Sequence, residues 1–493
     1  MGRRPRRSRD PLSRLARLRG VLVCLLLSAW PVATHAATEV LTWANADYNF
    51  RARITLDGGA CGVDCLPATD LSNFPVLVTV TCGTTLDCAT LQPSCNDLVF
   101  YDADQTTPLA FTREATCTRV VGTSNAYWVK IPTINTGLCT GGTRAGLACA
   151  LDTDCAGGGT CTGAGAGPDR PHVWMYWSNP TATDQQNAAA VWDSSYALVW
   201  HFPSGPSLTA YDDTGYNRDA TAISASLTTG TVGGGALTGP YAVIDRAPVT
   251  GLPGSTAPRT LSLWAKFAAN ENISIAGWGG NGTNGQRWAL GYASNHLYVP
   301  EGTNAFCSFA WSYDTSWQYL TAVLPSGATN FNQALSYRNG ALQQTTCTDT
   351  PLATSVTQPF TVGSLPTNTT APGDEAWFTG AVDEVRISTV ARTATWIKAE
   401  YDSMRADCGG ASCLLSVAAA TALVTPTVTH TPVPTTTPTP TPNLGTSTPT
   451  VTPPVGCCDC GADECVPPVE VEGTPTCPEH DPTCTYIGNA VCD

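Results

Sequence analysis

Two adjacent carboxylates, Asp383 and Glu384, lie in the stretch FTGAVDEVRIS of this 493-residue chain. A pair of carboxyl groups is what a glycoside hydrolase needs, about 5 Å apart in a retaining enzyme and roughly 6.5 to 9.5 Å apart in an inverting one. The stretch is typical of a β-strand, on which successive side chains point to opposite faces of the sheet. We therefore predict that the two acids lie on opposite faces, which excludes them as a catalytic pair.

The same alternation places Asp383 on the apolar face with Val385 and Ile387, and makes Glu384 and Arg386 a pair on the other face. A carboxylate on an apolar face needs hydrogen bonds from backbone N–H groups or a bound cation. We expect a structural role for Asp383, with calcium as the candidate ion if a metal takes part. No other cofactor is predicted.

The elements that must position these residues are strands. Short runs rich in Val, Ile, Thr, Tyr and Trp, broken by Gly, Pro, Asn and Asp, recur from Tyr48 to Ile387. This pattern predicts an all-β protein with two β-sandwich domains of the jelly-roll type. One segment, Arg392 to Asp407, has the apolar spacing of an amphipathic helix.

The composition changes along the chain and predicts five parts. An Arg-rich start, an apolar run of about ten residues and a small-residue end are the pattern of a signal peptide. A Thr/Pro-rich stretch predicts an extended spacer, and the segment after it is too small for a core without disulfides. The parts are a signal peptide (1–36), a first β domain (37–183) with a Cys-rich insertion (138–161), a second β domain (184–407), an Ala/Thr/Pro-rich linker (408–455) and a small disulfide-rich C-terminal segment (456–493).

Charge and cysteine content restrict the partners. The net charge of −14 disfavours nucleic acid, and no run after the signal peptide reaches the roughly 20 apolar residues of a membrane span. The 22 Cys favour disulfides in an oxidising compartment; zinc is the competing explanation, but no His is paired with Cys at finger spacing. We expect a bacterial protein that is secreted or held at the cell surface. The disulfide candidates are Cys139, Cys149, Cys155, Cys161, Cys307, Cys347, Cys408 and Cys413.

Several segments resemble known families. WDSSYALVWHF, VGGGALTGPYAVID, TLSLWAKF and FTGAVDEVRISTVARTATWIKAEYD are similar, in this order, to laminin-G-like domains of the concanavalin A-like lectin/glucanase superfamily. The preceding segment, with YNFRARITL and VWMYWSNP, resembles the bacterial family called domain of unknown function 2341. The resemblance implies a jelly roll that binds carbohydrate or protein, often with calcium. The chain lacks the E-x-D-x-x-E pattern of the glucanase relatives, so we expect no enzymatic activity.

A non-catalytic sandwich would hold a sugar against aromatic rings, with a few polar groups to fix its orientation. In TLSLWAKF the alternation places Trp264 on the face opposite Leu261 and Leu263. We predict binding of an extracellular glycan or a surface protein, and two alternatives stay open: a glycoside hydrolase with an unrecognised carboxylate pair, and a structural stalk or adhesin component. The candidate sugar-binding residues are Trp264, Trp278, Trp288, Tyr292 and Trp311.

Overall fold

The computed structural model describes residues 43, 45–149, 151–163, 170–246, 251–280, 283–365, 377–405 and 413–423, and short strands between 458 and 486. The predicted signal peptide, the Thr/Pro spacer, Cys408 and most of the Cys-rich segment lie outside the described residues. The chain divides into two compact units after Thr425. The described helices are too short or too polar to cross a lipid bilayer.

The chain is all-β, as predicted, with few helices. The helices are α1 (Ala188–Val191) and α2 (Ala394–Met404), with 3₁₀ turns at Gly59–Cys65, Cys88–Thr90, Asp152–Asp154 and Phe331–Gln333. The strands of the first part are β1 (Phe50–Thr55), β2 (Leu71–Thr81), β3 (Val99–Tyr101), β4 (Phe111–Arg113), β5 (Ser124–Ile134), β6 (Gly137–Thr140), β7 (Ala148–Cys149), β8 (Thr160–Thr162) and β9 (His172–Trp177).

The jelly roll follows from residue 196 onward. Its strands are β10 (Tyr196–Trp200), β11 (Ala222–Ile223), β12 (Ser226–Thr229), β13 (Gly234–Thr238), β14 (Ile244–Arg246), β15 (Arg259–Phe267), β16 (Ile273–Gly279), β17 (Arg287–Ala293), β18 (His296–Gly302), β19 (Ala305–Ala310), β20 (Trp317–Leu324), β21 (Leu335–Arg338), β22 (Ala341–Leu342), β23 (Thr346–Cys347), β24 (Phe360–Val362) and β25 (Gly380–Ser388). Later strands are β26 (Ser416–Val417), β27 (Thr421–Ala422), β28 (Cys458–Asp459), β29 (Cys465–Val466), β30 (Val469–Val471), β31 (Thr474–Thr476) and β32 (Thr485–Tyr486).

Two eight-stranded antiparallel sheets form the jelly roll. The first, named here the junction sheet, has the order β12-β13-β25-β15-β20-β21-β22 with β10 also paired to β25. The second, the groove sheet, has the order β11-β14-β24-β16-β17-β18-β19-β23. Their facing sides enclose one hydrophobic core.

The first part forms a smaller sandwich. Its sheets have the orders β26-β1-β9-β3, with β27 also on β1, and β2-β5-β4. The predicted Cys-rich insertion is a separate three-stranded sheet, β7-β6-β8, held by the disulfides Cys139–Cys155 and Cys149–Cys161. A further predicted pair, Cys307–Cys347, joins β19 to β23, and Cys413 is also in a disulfide.

The junction sheet is buried on both faces. Leu261 and Leu263 of β15 face the jelly-roll core, and Trp264 faces the other way, as the alternation predicted. That other face is not open, however: Trp264 is only 3% exposed, and its ring lies 5.2 Å from Tyr319 and 5.6 Å from Tyr401 of α2. The first sandwich and the outer side of the junction sheet therefore share a second continuous core.

Helix α2 packs in this second core. It starts at the predicted place because the Thr393 hydroxyl accepts a hydrogen bond from the Trp396 amide at 3.2 Å. The Trp396 ring packs edge-on against Phe74 of β2 at 4.9 Å, and the Ser403 hydroxyl accepts from the Leu77 amide at 2.8 Å. The helix thus lies between the first sandwich and the junction sheet.

The linker prediction is wrong at its start. After α2 the chain returns to the first sandwich, where β26 pairs with β1 through Val417 and Ile54, and β27 pairs with β1 through Ala422 and Phe50. Residues 416–417 and 421–422 are therefore strand residues of the first sandwich rather than linker, and their Ala/Val/Thr composition gave no sign of this pairing.

We expect Trp264→Ala to destabilise the first unit by about 3–5 kcal/mol, because a large buried ring leaves a cavity between α2 and the junction sheet. Urea unfolding of the full chain measures the change. The control is Tyr211→Ala, since Tyr211 is 65% exposed and its loss should cost under about 0.5 kcal/mol. Equal effects of the two changes would contradict this placement of Trp264.

Candidate functional site

Strand β25 carries a bulge at Glu384 that changes the expected geometry. Ser262 of β15 pairs with Arg386, but Trp264 pairs with Asp383, so β25 has one extra residue between these pairs. Glu384 has φ of 52°, a left-handed conformation that is uncommon for a residue other than glycine. The bulge turns Asp383 to the same face as Trp264, away from the jelly-roll core.

The prediction that Asp383 lies with Val385 and Ile387 on the apolar face is therefore wrong. Strict alternation fails across a bulge, and the sequence VDEVRIS does not show that a residue is inserted. Asp383 accepts three backbone hydrogen bonds, from the amides of Thr231 and Val232 at 2.7 and 2.9 Å and from Glu384 at 2.8 Å. These bonds fit the structural role and leave little need for calcium at this carboxylate.

Glu384 contacts a histidine that directly follows β10 and lies near an acid of the first sandwich. Nδ1 of His201 lies 2.9 and 3.0 Å from the two Glu384 carboxylate oxygens and 3.4 Å from Oε2 of Glu114. Nε2 of His201 faces Oδ2 of Asp213 at 3.6 Å. The sequence gave no indication of this cluster, because Glu114 and His201 are far from Glu384 along the chain.

Arg386 closes the cluster on its other side. Its guanidinium contacts Glu384 Oε2 at 2.5 Å, as the predicted same-face pair requires, and Glu400 of α2 at 3.1 Å. It also lies 4.4 Å from the centroid of the Trp128 ring and 4.9 Å from that of Trp192, close enough for cation–π attraction. A single cation thus joins α2, the junction sheet and the first sandwich.

Burial governs the protonation of these acids. Burial, together with the charges of Glu384 and Asp383, raises the pKa of Glu114 well above its usual value. Burial and Glu384 likewise raise the pKa of Asp383. Burial also acts on Glu384, but His201 and Arg386 outweigh it and lower the pKa of that carboxyl. Because Asp383 and Glu384 have no exposed surface, a glycan cannot reach them in this conformation.

The five aromatic residues predicted to bind sugar are all buried. Trp264 lies in the core shared with α2, and the others belong to the jelly-roll core. A buried ring cannot stack on a sugar, so this site assignment is corrected. Of the five, Tyr292 lines the cavity described next. Sequence alternation identified the aromatic positions but did not show that α2 covers Trp264 or that the others fill the jelly-roll core. The exposed fractions are 3% for Trp264, 0% for Trp278, 0% for Trp288, 1% for Tyr292 and 6% for Trp311.

A cavity of about 360 Å³ opens on the face of the groove sheet that points away from the jelly-roll core. Polar side chains of three strands line it. Arg287 of β17 pairs with Glu301 of β18, and Tyr298 packs edge-on against Phe306 at 5.1 Å. Burial raises the pKa of Glu301, and Arg287 opposes that change.

Two small residues shape this cavity. Ser274 of β16 is fully buried, and its hydroxyl has no hydrogen-bond partner among the described residues. Gly291 of β17 leaves space, since a Cβ there would lie 2.8 Å from Oε2 of Glu301. A buried hydroxyl without a partner is costly unless a ligand or water supplies one.

A second cavity of about 520 Å³ adjoins the first at Asn272, which lines both. Tyr241 and Trp377 form its aromatic wall, with ring centroids 5.0 Å apart. Tyr241 is 54% exposed and covers the buried Trp377. We call the two cavities together the outer-face groove. Neither Tyr241 nor Trp377 was among the predicted sugar-binding residues. The turn sequence GPYAV indicates that Tyr241 is exposed, but nothing in the sequence shows that it lies beside the groove sheet.

Comparisons with known proteins concern the jelly roll. Domain 4 of AbnA, a GH43 extracellular arabinanase from Geobacillus stearothermophilus solved with arabinotriose, is 17% identical with a TM-score of 0.29, and the match covers 42% of this chain and 98% of that one. The ligand-binding domain of botulinum neurotoxin serotype D, solved with N-acetylneuraminic acid, is 15% identical with a TM-score of 0.32, and the match covers 43% of this chain and 52% of that one.

No curated protein matches the chain, and the first segment, which resembles domain of unknown function 2341, has no support from a family model. Residues 239–398 match the family model described as the concanavalin A-like lectin/glucanases superfamily. The matched region begins at the turn before Tyr241, includes both cavities of the outer-face groove and ends within α2.

Proposed function

We propose that this chain is an exported, non-catalytic protein that binds an extracellular carbohydrate in the outer-face groove. The observation that carries the proposal is the exposed ring of Tyr241 beside a cavity lined by the polar side chains of Arg287, Tyr298 and Glu301. Aromatic faces pack on the apolar C–H faces of sugar rings, and a few polar groups fix the orientation. The superfamily match over this region supports the same function.

The charges in the groove favour a neutral glycan. Arg287 and Glu301 neutralise each other, and Glu271 at the second cavity adds a negative charge. Asn272 and Tyr298 add neutral groups that can both donate and accept hydrogen bonds, as sugar hydroxyls do. An acidic sugar would meet an uncompensated carboxylate, so we propose a neutral oligosaccharide as the ligand.

The disulfides support an extracellular location. Bonds such as Cys82–Cys88 and Cys307–Cys347 persist in oxidising compartments. Export by the predicted signal peptide and display on the Thr/Pro spacer complete the proposal. A glycoside hydrolase and a purely structural stalk are the alternatives, and the same binding experiment separates all three.

We expect Tyr241→Ala to weaken binding of neutral oligosaccharides by at least about tenfold, because loss of one stacked ring removes roughly 1–1.5 kcal/mol beyond its buried area. A glycan array with the full chain identifies the ligand, and calorimetry measures its affinity. Tyr211→Ala is the matched control, since Tyr211 is also exposed but lies outside the groove.

Three results would contradict the proposal. Binding unchanged by Tyr241→Ala would place the site elsewhere. No binding to any glycan would favour the structural stalk. Release of reducing sugar from the array ligands would show a hydrolase.

Binding should also depend on the charge of Glu301. When ionised, its carboxylate accepts hydrogen bonds at both oxygens, whereas protonation turns one oxygen into an O–H donor. Burial raises the pKa of Glu301. Affinity is therefore expected to be full at neutral pH and to fall as the pH drops through this raised pKa, at a higher pH than for an ordinary glutamate. Calorimetry between pH 4.5 and 7.5 on the wild type and Glu301→Gln tests this, and we expect the variant to bind more weakly with a flatter pH profile. An identical profile in both proteins would exclude Glu301 from the site.

A further inference from the structure

The buried cluster at the junction combines ligands from separate parts of the chain. Glu114 follows β4 of the first sandwich, His201 follows β10, and Glu384 lies at the bulge of β25. One ligand atom from each lies within 4.8 Å of the other two. All three residues are at least nine-tenths buried, so this set of one imidazole and two carboxylates is isolated from bulk water.

The spacing of these atoms fits a metal coordination shell. Ligands about 2.0–2.2 Å from a zinc ion lie roughly 3.3–3.6 Å from one another in a tetrahedral shell, so the shorter of the two distances below would lengthen on metal binding. Nδ1 of His201 lies 2.9 Å from Glu384 Oε1 and 3.4 Å from Glu114 Oε2. The other oxygen of Glu114, Oε1, is buried and has no hydrogen-bond partner among the described residues, so a lone pair stays available for an ion.

The groups around the three ligands are arranged as an outer coordination shell. A metal-bound histidine generally turns its second ring nitrogen to a carboxylate, and bound carboxylates are themselves hydrogen-bonded. Here Nε2 of His201 lies 3.6 Å from Asp213, a charge contact too long for a direct hydrogen bond, and Glu114 Oε2 accepts from the Trp128 indole at 2.8 Å. Glu384 contacts Arg386 in the same way.

The charge balance of the cluster also calls for a cation. Five carboxyl groups gather here, and within the described part of the chain their cationic partners are Arg386 and, when protonated, His201. Unpaired buried charge is strongly unfavourable. With His201 neutral, a divalent ion would offset about half of the excess negative charge. The acids are Glu114, Asp213, Asp383, Glu384 and Glu400.

An ion has a route to the cluster. A cavity of about 510 Å³ lies between the first sandwich and the jelly roll, and Glu114 forms part of its wall together with Val232, Met404 and Arg405. Glu114 also lines a neighbouring cavity of about 410 Å³. The carboxylate is thus both a ligand of the cluster and its point of contact with the surface.

We propose that Glu114, His201 and Glu384 bind one divalent transition-metal ion, with Zn²⁺ the best fit to an imidazole and two carboxylates. Calcium is a poorer fit because it prefers oxygen ligands throughout. The ion would tie the first sandwich to the jelly roll, since Glu114 belongs to one and its co-ligands to the other. This site is distinct from the outer-face groove and does not depend on carbohydrate binding.

The test compares the full-length wild type with Glu114→Gln, in which the amide can still accept the Trp128 hydrogen bond. After chelator treatment and dialysis, titration with Zn²⁺ should show one more equivalent bound by the wild type than by the variant. The difference between the two proteins removes any contribution from cysteines in the C-terminal segment. Added Zn²⁺ should raise the melting temperature of the wild type and not that of the variant.

Two further variants sharpen the result. Asp213→Asn alters only the outer shell and should weaken Zn²⁺ binding by about 10- to 100-fold. Asp245→Asn, at a half-buried acid of β14 outside both sites, should leave it unchanged. Circular dichroism confirms that each variant is folded. Equal Zn²⁺ binding by wild type and Glu114→Gln would overturn the proposal, and so would stabilisation by Ca²⁺ but not Zn²⁺, because an imidazole ligand would then be excluded.

Discussion

The Arg386 guanidinium is the interaction on which the junction depends. It is 1% exposed and contacts Glu384, Glu400 and two tryptophan rings. Burial alone would lower its pKa, but Glu384 and Glu400 raise it further than burial lowers it. The charge therefore persists in the core, and it positions the carboxylates of Glu384 and Glu400. A buried pair of this kind adds little net stability but is costly to break, so it fixes how the two sandwiches meet.

The bulge at Glu384 determines which carboxylates lie within contact of the Arg386 guanidinium. It places Asp383, Glu384 and Arg386 on one face, while Val385 and Ile387 keep their place in the jelly-roll core. Asp383 then holds the backbone of Thr231 and Val232. The left-handed conformation of Glu384 is unfavourable by itself. It nevertheless brings the loop at Thr231 and Val232, strand β25 and helix α2 together.

Sequence reasoning was reliable where the periodicity of a single strand or helix decided the outcome. The all-β class, the helix over 394–404 and the outward position of Trp264 follow from local periodicity. It failed where a second element was needed: alternation cannot show that α2 covers Trp264, nor that residue 384 is inserted into the ladder. The candidate groove was missed for the same reason, because Tyr241, Ser274 and Glu301 come from different strands and only their assembly makes a cavity.

The return of the chain to β1 has a mechanical consequence. β9 pairs with one edge of β1 and β26 and β27 pair with the other, so the jelly roll is an insertion between strands of the first sandwich. Tension applied to the chain beyond Leu423 would load the hydrogen bonds between β27 and β1 near Phe50 before it reached the jelly roll. The force would detach β27 and β26 from β1 first. The jelly roll would then carry no load, and a ligand bound in its groove would not be released.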